Sequence, residues 1–159
     1  MPSSLRKGSS TIAVALLYRD APKAIEWLCR AFGFEKHLVV PGDDGTIVHA
    51  ELIYGNGMIM LGSARDDDFG KMQKLPQVVG GVVTACMSVI VPDADAHHAR
   101  AIAAGAQIVR PVEDQHYGGA DTGAAISRAT SGSSAPTTHG PRRRHSVRPP
   151  DAPISPRTM

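Results

Sequence analysis

His49 and Glu51 stand two residues apart in the stretch 46–53. In a β-strand, side chains two apart leave from the same face, so the imidazole and the carboxylate meet there together with Ile47 and Ile53. An imidazole beside a carboxylate can act as a general acid or base, or grip a polar ligand. The same two residues also suit a plain polar pair on a sheet surface, and the residue types leave both readings open. Met58 and Met60 repeat the spacing. Two soft thioethers on one strand face line an adaptable pocket or, the commoner use, fill a core.

Other chemistry-bearing residues read as structural. His97 and His98 are adjacent, and neighbours on a helix diverge by about 100°, so they do not face one ion; a solvated helix face is the expectation. Asp66, Asp67 and Asp68 lack the spaced oxygen ligands and glycine of a calcium loop and read as an exposed linker. Cys29 and Cys86 match no CxxC or metal spacing and sit in apolar surroundings, which makes them buried, inert thiols. Trp27 is expected to pack or to lie at the surface. Arg142, Arg143 and Arg144 attract phosphates, but with no aromatic platform they predict no specific nucleic-acid partner.

The elements that must position these groups follow from periodicity. Residues 12–18 are an apolar run of strand length. Asp20 then sits as an N-cap with Pro22 in the first turn, and Ile25, Leu28, Cys29 and Phe32 form one helical stripe that Gly33 ends. Residues 35–40, 46–53 and 58–61 read as strands, the last two joined through Asn56-Gly57. The order is β-α-β-β-β. A second strand at 87–91, a cap at Asp93, a helical stripe of Ala96, Ala99, Ile102 and Ala103, a stop at Gly105 and a strand at 107–112 repeat the beginning of that unit.

The composition changes along the chain. All seven aromatic residues lie at or before position 117. From position 120 onward there are six arginines against two acids, and six of the 12 prolines. The whole chain has 17 basic and 15 acidic residues, so a mildly acidic body precedes a basic, Pro/Ser/Thr-rich tail that has nothing to bury. No apolar run approaches the roughly 20 residues that span a bilayer. The first ten residues lack the apolar core of a secretory signal, which leaves the cytoplasm as the expected location.

The segments LLYRDAPKAIEWLCRAFGFE, DGTIVHAELIYGNGMIMLGSARDDDFG and VPDADAHHARAIAAGAQIVRPVEDQHYG resemble the glyoxalase/bleomycin-resistance branch of the vicinal-oxygen-chelate superfamily over roughly residues 10–118. The resemblance implies an α+β fold of paired βαβββ modules, whose curved sheets enclose a small-molecule cavity often completed across a homodimer. Its expected divisions are a flexible segment 1–10, a first module 11–62, a linker 63–81, a truncated second module 82–118 and a disordered basic tail 119–159. Metal-using relatives carry His or Gln on the first strand, where Leu16, Leu17 and Tyr18 stand here, and again on the strand opening the second module, where Ala85, Cys86 and Met87 stand. Only Glu51 resembles a metal ligand, and one carboxylate cannot hold a divalent ion. The resemblance therefore implies a small-molecule-binding protein with no metal and no other cofactor. Its candidate ligand contacts are Tyr18, His49, Glu51, Met58 and Met60. The alternative is a metal-dependent lyase or dioxygenase-type enzyme of the same superfamily.

The departure begins after Tyr117-Gly118. GC-rich codons for residues 119–140, read two bases later, are compatible with Arg-Gly-Tyr-Gly-Cys-Arg-Asp-Leu-Glu-Gly-His-Leu-Trp-Leu-Phe-Gly-Thr-Tyr-Asp-Pro-Trp. That run resembles the end of the family pattern, so a shifted reading frame is the expected origin of the tail.

Overall fold

A computed structural model describes residues 10–114, 116, 120–125 and 136–140. The first module is strand β1 (Ala13–Tyr18), helix α1 (Ala21–Phe32) and strands β2 (Glu35–Pro41), β3 (Ile47–Tyr54) and β4 (Gly57–Ser63). Asp20 caps α1 by accepting the backbone N–H of Lys23, and Gly33 ends it in the left-handed region at φ 78°. The helix buries Ile25, Trp27, Leu28 and Phe32 against the sheet. The sheet order is β1-β4-β3-β2, with β1 parallel to β4 and the other pairs antiparallel.

A connecting stretch with short helix α2 (Asp68–Met72) leads to the second module. Asp67 caps α2 through the Gly70 N–H at 2.7 Å, and that contact, helped by Arg65, holds its carboxyl below the usual range. A Cβ on Gly70 would lie 2.0 Å from the Arg65 carbonyl oxygen, so only glycine fits this turn. Strand β5 (Met87–Ile90), helix α3 (Ala94–Ala103) and strands β6 (Gln107–Asp114), β7 (Ala120–Ala125) and β8 (Pro136–Gly140) follow. Their order, β5-β8-β7-β6, copies that of the first sheet, including the parallel pairing of its first and last strands. The fold is thus α+β, two βαβββ modules, the second reduced, with β5 four residues long against six in β1.

Two segments expected to belong to an unstructured tail, Ala120–Ala125 and Pro136–Gly140, are strands of this second sheet. They are built of Ala, Gly, Thr and Pro with Asp121 and His139, and pair through the main chain, so they carry none of the apolar alternation by which a strand is recognised in sequence. Arg142, Arg143, Arg144 and the rest of the expected tail lie outside the described residues.

The modules meet through their helices. From α3, Arg100 Nε donates to the Arg30 carbonyl at 2.8 Å and Arg100 Nη2 to the Cys29 carbonyl at 3.1 Å. His97 Nε2 donates to the Phe32 carbonyl at 3.0 Å. The Arg30 and Phe32 carbonyls are ones that the end of α1 leaves without helical partners, and the Cys29 carbonyl is shared with the Gly33 N–H that closes the helix. In return Trp27 Nε1 donates at 2.9 Å to the carbonyl of Ala104, the residue that ends α3. The Trp27 ring meets Phe32 edge-on at 5.1 Å, and the His97 ring lies 5.8 Å from that of Phe32 and 6.3 Å from that of Tyr54.

This seam corrects three expectations. His97 is buried rather than solvated. His98 Nδ1 lies 2.8 Å from the Thr122 hydroxyl, which itself donates to the Arg110 carbonyl at 3.0 Å, so Nδ1–H is the donor to Thr122. The buried positions of α3 are Ala94, His97 and Ala101, whereas Ala96, Ala99, Ile102 and Ala103 face solvent. A helix so rich in alanine has little apolar contrast between its faces, and the face that meets the open carbonyls of α1 decides.

Two outcomes are expected. Arg100→Met removes two charge-assisted bonds from the seam and should lower the unfolding free energy by about 1–2 kcal/mol in a denaturant melt. Burial, with the nearby Arg100 charge, holds the His97 imidazole below its ordinary range against the opposing bond to Phe32. The unfolded chain therefore takes up the proton first, so stability is complete above about pH 6.5 and declines as pH falls through that value toward the lower folded one. In His97→Gln, whose amide can still donate to Phe32, thermal melts between pH 7.5 and pH 5 (about one unit either side of the histidine range) should show a flatter decline.

Candidate functional site

The outer hairpin of the first sheet is irregular in two places. Lys36 pairs with Leu52 and Leu38 with Glu51, so His37 is an extra residue on β2. Val40 pairs with His49 and Pro41 with Ile47, so Val48 is an extra residue on β3. Bulges of this kind re-aim side chains. The first brings His37 Nε2 to 3.8 Å from Glu51 Oε2, while His49 Nε2 lies 3.1 Å from Glu51 Oε1. One carboxylate stands between two imidazoles, with Glu51 22%, His49 38% and His37 52% exposed. The second bulge breaks the period of two, and Ile47, expected on the His49 face, packs in the core with Ala50 and Leu52.

His49 lines a half-open cavity of about 270 Å³ with Ala15 and Leu17 of β1, Met60 and Gly62 of β4, and Arg65. Arg65 is tied at its rim, Nη1 to the Val48 carbonyl at 3.2 Å and Nε to Asp67 Oδ2 at 2.7 Å. The β1 wall also borders an apolar cleft of about 480 Å³ that reaches Met72, Val79, Val82 and Met87. The chamber therefore combines apolar walls, one imidazole backed by a carboxylate, and one guanidinium. A further groove of about 500 Å³ runs along the helix side of the sheet between α1 and β2 and contains none of the residues expected from sequence. Its Lys36 is paired with Glu26, and its Lys23 with Asp20.

The structure brings His49, Glu51 and Met60 together and separates the other two candidates. Met58 lines a different cavity of about 280 Å³ beside Tyr54, Asn56 and Met87. Tyr18 lies in the core at 0% exposure, its burial pushes the phenol far above its ordinary range, and its hydroxyl has no hydrogen-bond partner among the described residues. It is a packing residue and not a wall of the chamber. Of the two thiols expected to be buried, Cys86 is exposed beside the cleft, and Cys29 is half-buried, its thiol pushed up by burial. His37 and Arg65 are the members that sequence reasoning missed. A one-residue bulge has no residue-type signature, and Arg65 reaches the rim only through the turn that Asp67 and Gly70 make. Tyr18→Phe should leave thermal stability unchanged or raise it, by up to about 1 kcal/mol, because it removes a buried hydroxyl that makes no bond.

Comparison with known proteins agrees with this architecture. The sequence model of the Glyoxalase/Bleomycin resistance protein/Dioxygenase superfamily matches residues 12–124. An uncharacterized protein of Mycobacterium bovis is 34% identical over 103 residues, 65% of this chain and 67% of that protein. One from Mycobacterium tuberculosis is 34% identical over 103 residues, but the match spans only 60% of its length. Among solved structures, TioX from Micromonospora sp. ML1 superposes with a TM-score of 0.60 at 30% identity, over 82% of this chain and 98% of TioX. A superfamily member from Sphaerobacter thermophilus gives 0.61 at 16% identity, over 82% and 96% of the two chains. The fosfomycin resistance protein FosX of Listeria monocytogenes, complexed with Mn(II) and a dihydroxypropylphosphonic acid, gives 0.57 at 12% identity, over 85% and 92%.

Proposed function

This chain belongs to the Glyoxalase/Bleomycin resistance protein/Dioxygenase superfamily, and from that premise we propose that it binds a small apolar molecule with one polar handle in the chamber between β1, β3 and β4. The observation that carries the reading is the lining itself, in which Ala15, Leu17 and Met60 surround the imidazole of His49 and the guanidinium of Arg65. Sites of this type fix a ligand by apolar contact and orient it with a few polar groups.

In this reading the protein uses no resident metal. The donor set does not suit one, because among the described residues no three His, Cys, Asp or Glu side chains are placed to hold an ion. The alternative, a metal-dependent lyase or dioxygenase-type enzyme, draws on the manganese in FosX. We place the protein in the cytoplasm as a homodimer. Among the described residues no helix is long and apolar enough to cross a membrane, and Val14, Leu38 and Val40 stand exposed on the first sheet where a second copy can cover them.

A thermal-shift screen of small apolar ligands, with and without Zn2+, Ni2+ or Mn2+, tests the reading. Stabilisation by a ligand alone is expected, and His49→Ala should weaken it; a large shift caused by metal alone would favour the enzyme. We further propose that residues 119–140 come from a shifted frame, since β7 and β8 carry no large apolar residue where the alternative reading places two Tyr and a Trp. Each large apolar side chain buried contributes about 1.5–3 kcal/mol. The frame-restored chain should therefore unfold at higher denaturant than the present one, and equal midpoints would count against the shift.

A further inference from the structure

We propose that His37, Glu51 and His49 act as one acid–base unit, and that the chamber takes a weakly acidic hydroxyl on a flat apolar ring and binds it as the anion. The proposal rests on the chamber reading above and adds the chemistry. His49 Nε2 lies 3.1 Å from Glu51 Oε1. A carboxylate can only accept, so Nε2 carries the proton and Nδ1 is the nitrogen with a free lone pair for a ligand. Fixing an imidazole's tautomer through a carboxylate also steadies the imidazolium once it forms. His37 Nε2, 3.8 Å from Oε2, is too far for a hydrogen bond and pairs with the other carboxylate oxygen as an ion when its imidazole is protonated. It is a positioning residue that holds Glu51 with Oε1 toward His49.

The step conserves atoms and charge. The ligand O–H bond breaks as its proton forms a bond to His49 Nδ1. The imidazolium is held against the Glu51 carboxylate, and the negative ligand oxygen is left in the chamber that Arg65 borders. A carboxylate ligand, already negative, would meet Glu51 with no proton to give. A neutral ligand without an acidic hydrogen would leave Nδ1 without a donor. A weak acid satisfies both ends, and Ala15, Leu17 and Met60 supply the apolar contact for its ring.

The probe is 4-nitrophenol, which colours only when ionised, added at a pH where the free compound is mostly protonated. Binding to the intact chain should raise the phenolate band and shift the Met60 methyl resonance. His49→Gln and Glu51→Gln should still bind the probe, with the bound phenolate-to-phenol ratio about tenfold lower, one logarithmic unit of acid strength. His37→Gln should lower that ratio partly, and His37→Lys, which places a permanent cation beside Oε2, should restore it. Binding without the band, or an undiminished band in His49→Gln, overturns the acid–base unit while leaving the chamber standing. A band with no change at Met60 overturns the chamber reading instead. Absence of binding overturns the ligand class.

Discussion

Each of the two long helices has carbonyls at its end that take a hydrogen bond from the other helix. Arg100 and His97 close the end of α1, and Trp27 closes the end of α3. Helix termini without such partners are costly when covered by protein, so neither helix is complete without the other module. The clasp fixes how the two sheets sit side by side, and with that it fixes the cleft between β1 and the stretch leading into β5. Gly33 is part of the same constraint. Its φ of 78° requires a residue tolerant of the left-handed region, and a Cβ there would come within 2.8 Å of the Arg100 guanidinium.

The first module was legible because its signals are local and agree with one another. A capping aspartate, a proline in the first turn, a broad apolar stripe and a terminating glycine all point to the same helix. The repeat could be read from Asp93 and Gly105 for the same reason, although the apolar stripe assigned to α3 was the exposed one. Short-range information ended there. Whether His97 is buried depends on the Phe32 carbonyl, 65 positions away, and β7 and β8 are strands by virtue of what they pair with, since their own residues carry no apolar alternation.

The site divides along the same line. His49, Glu51 and Met60 follow from strand alternation, and the structure keeps His49 and Met60 on one chamber with Glu51 behind the imidazole. Tyr18 follows from alternation too, but by the opposite result. It shares its phase with Leu16, and both lie in the core. The outer hairpin departs from alternation at His37 and Val48, and those departures place a second imidazole on Glu51 and remove Ile47 from the chamber face. Alternation thus predicted the regular part of the sheet, and the chemistry gathers where the sheet is irregular.

The strand order of the second sheet bears on the chain's synthesis. Strands β5 and β6 flank α3 in sequence, yet they occupy opposite edges of their sheet and are joined only through β8 and β7. A ribosome that has delivered everything through Asp114 has released all four strands of the first sheet. It has also released two strands that cannot pair with each other. The second sheet waits for the last of its strands, at Pro136–Gly140, and until then the α3 side of the helix clasp rests on an unfinished layer. Domains assemble from the N-terminus as they emerge, and here the same fold written twice is finished at two different times.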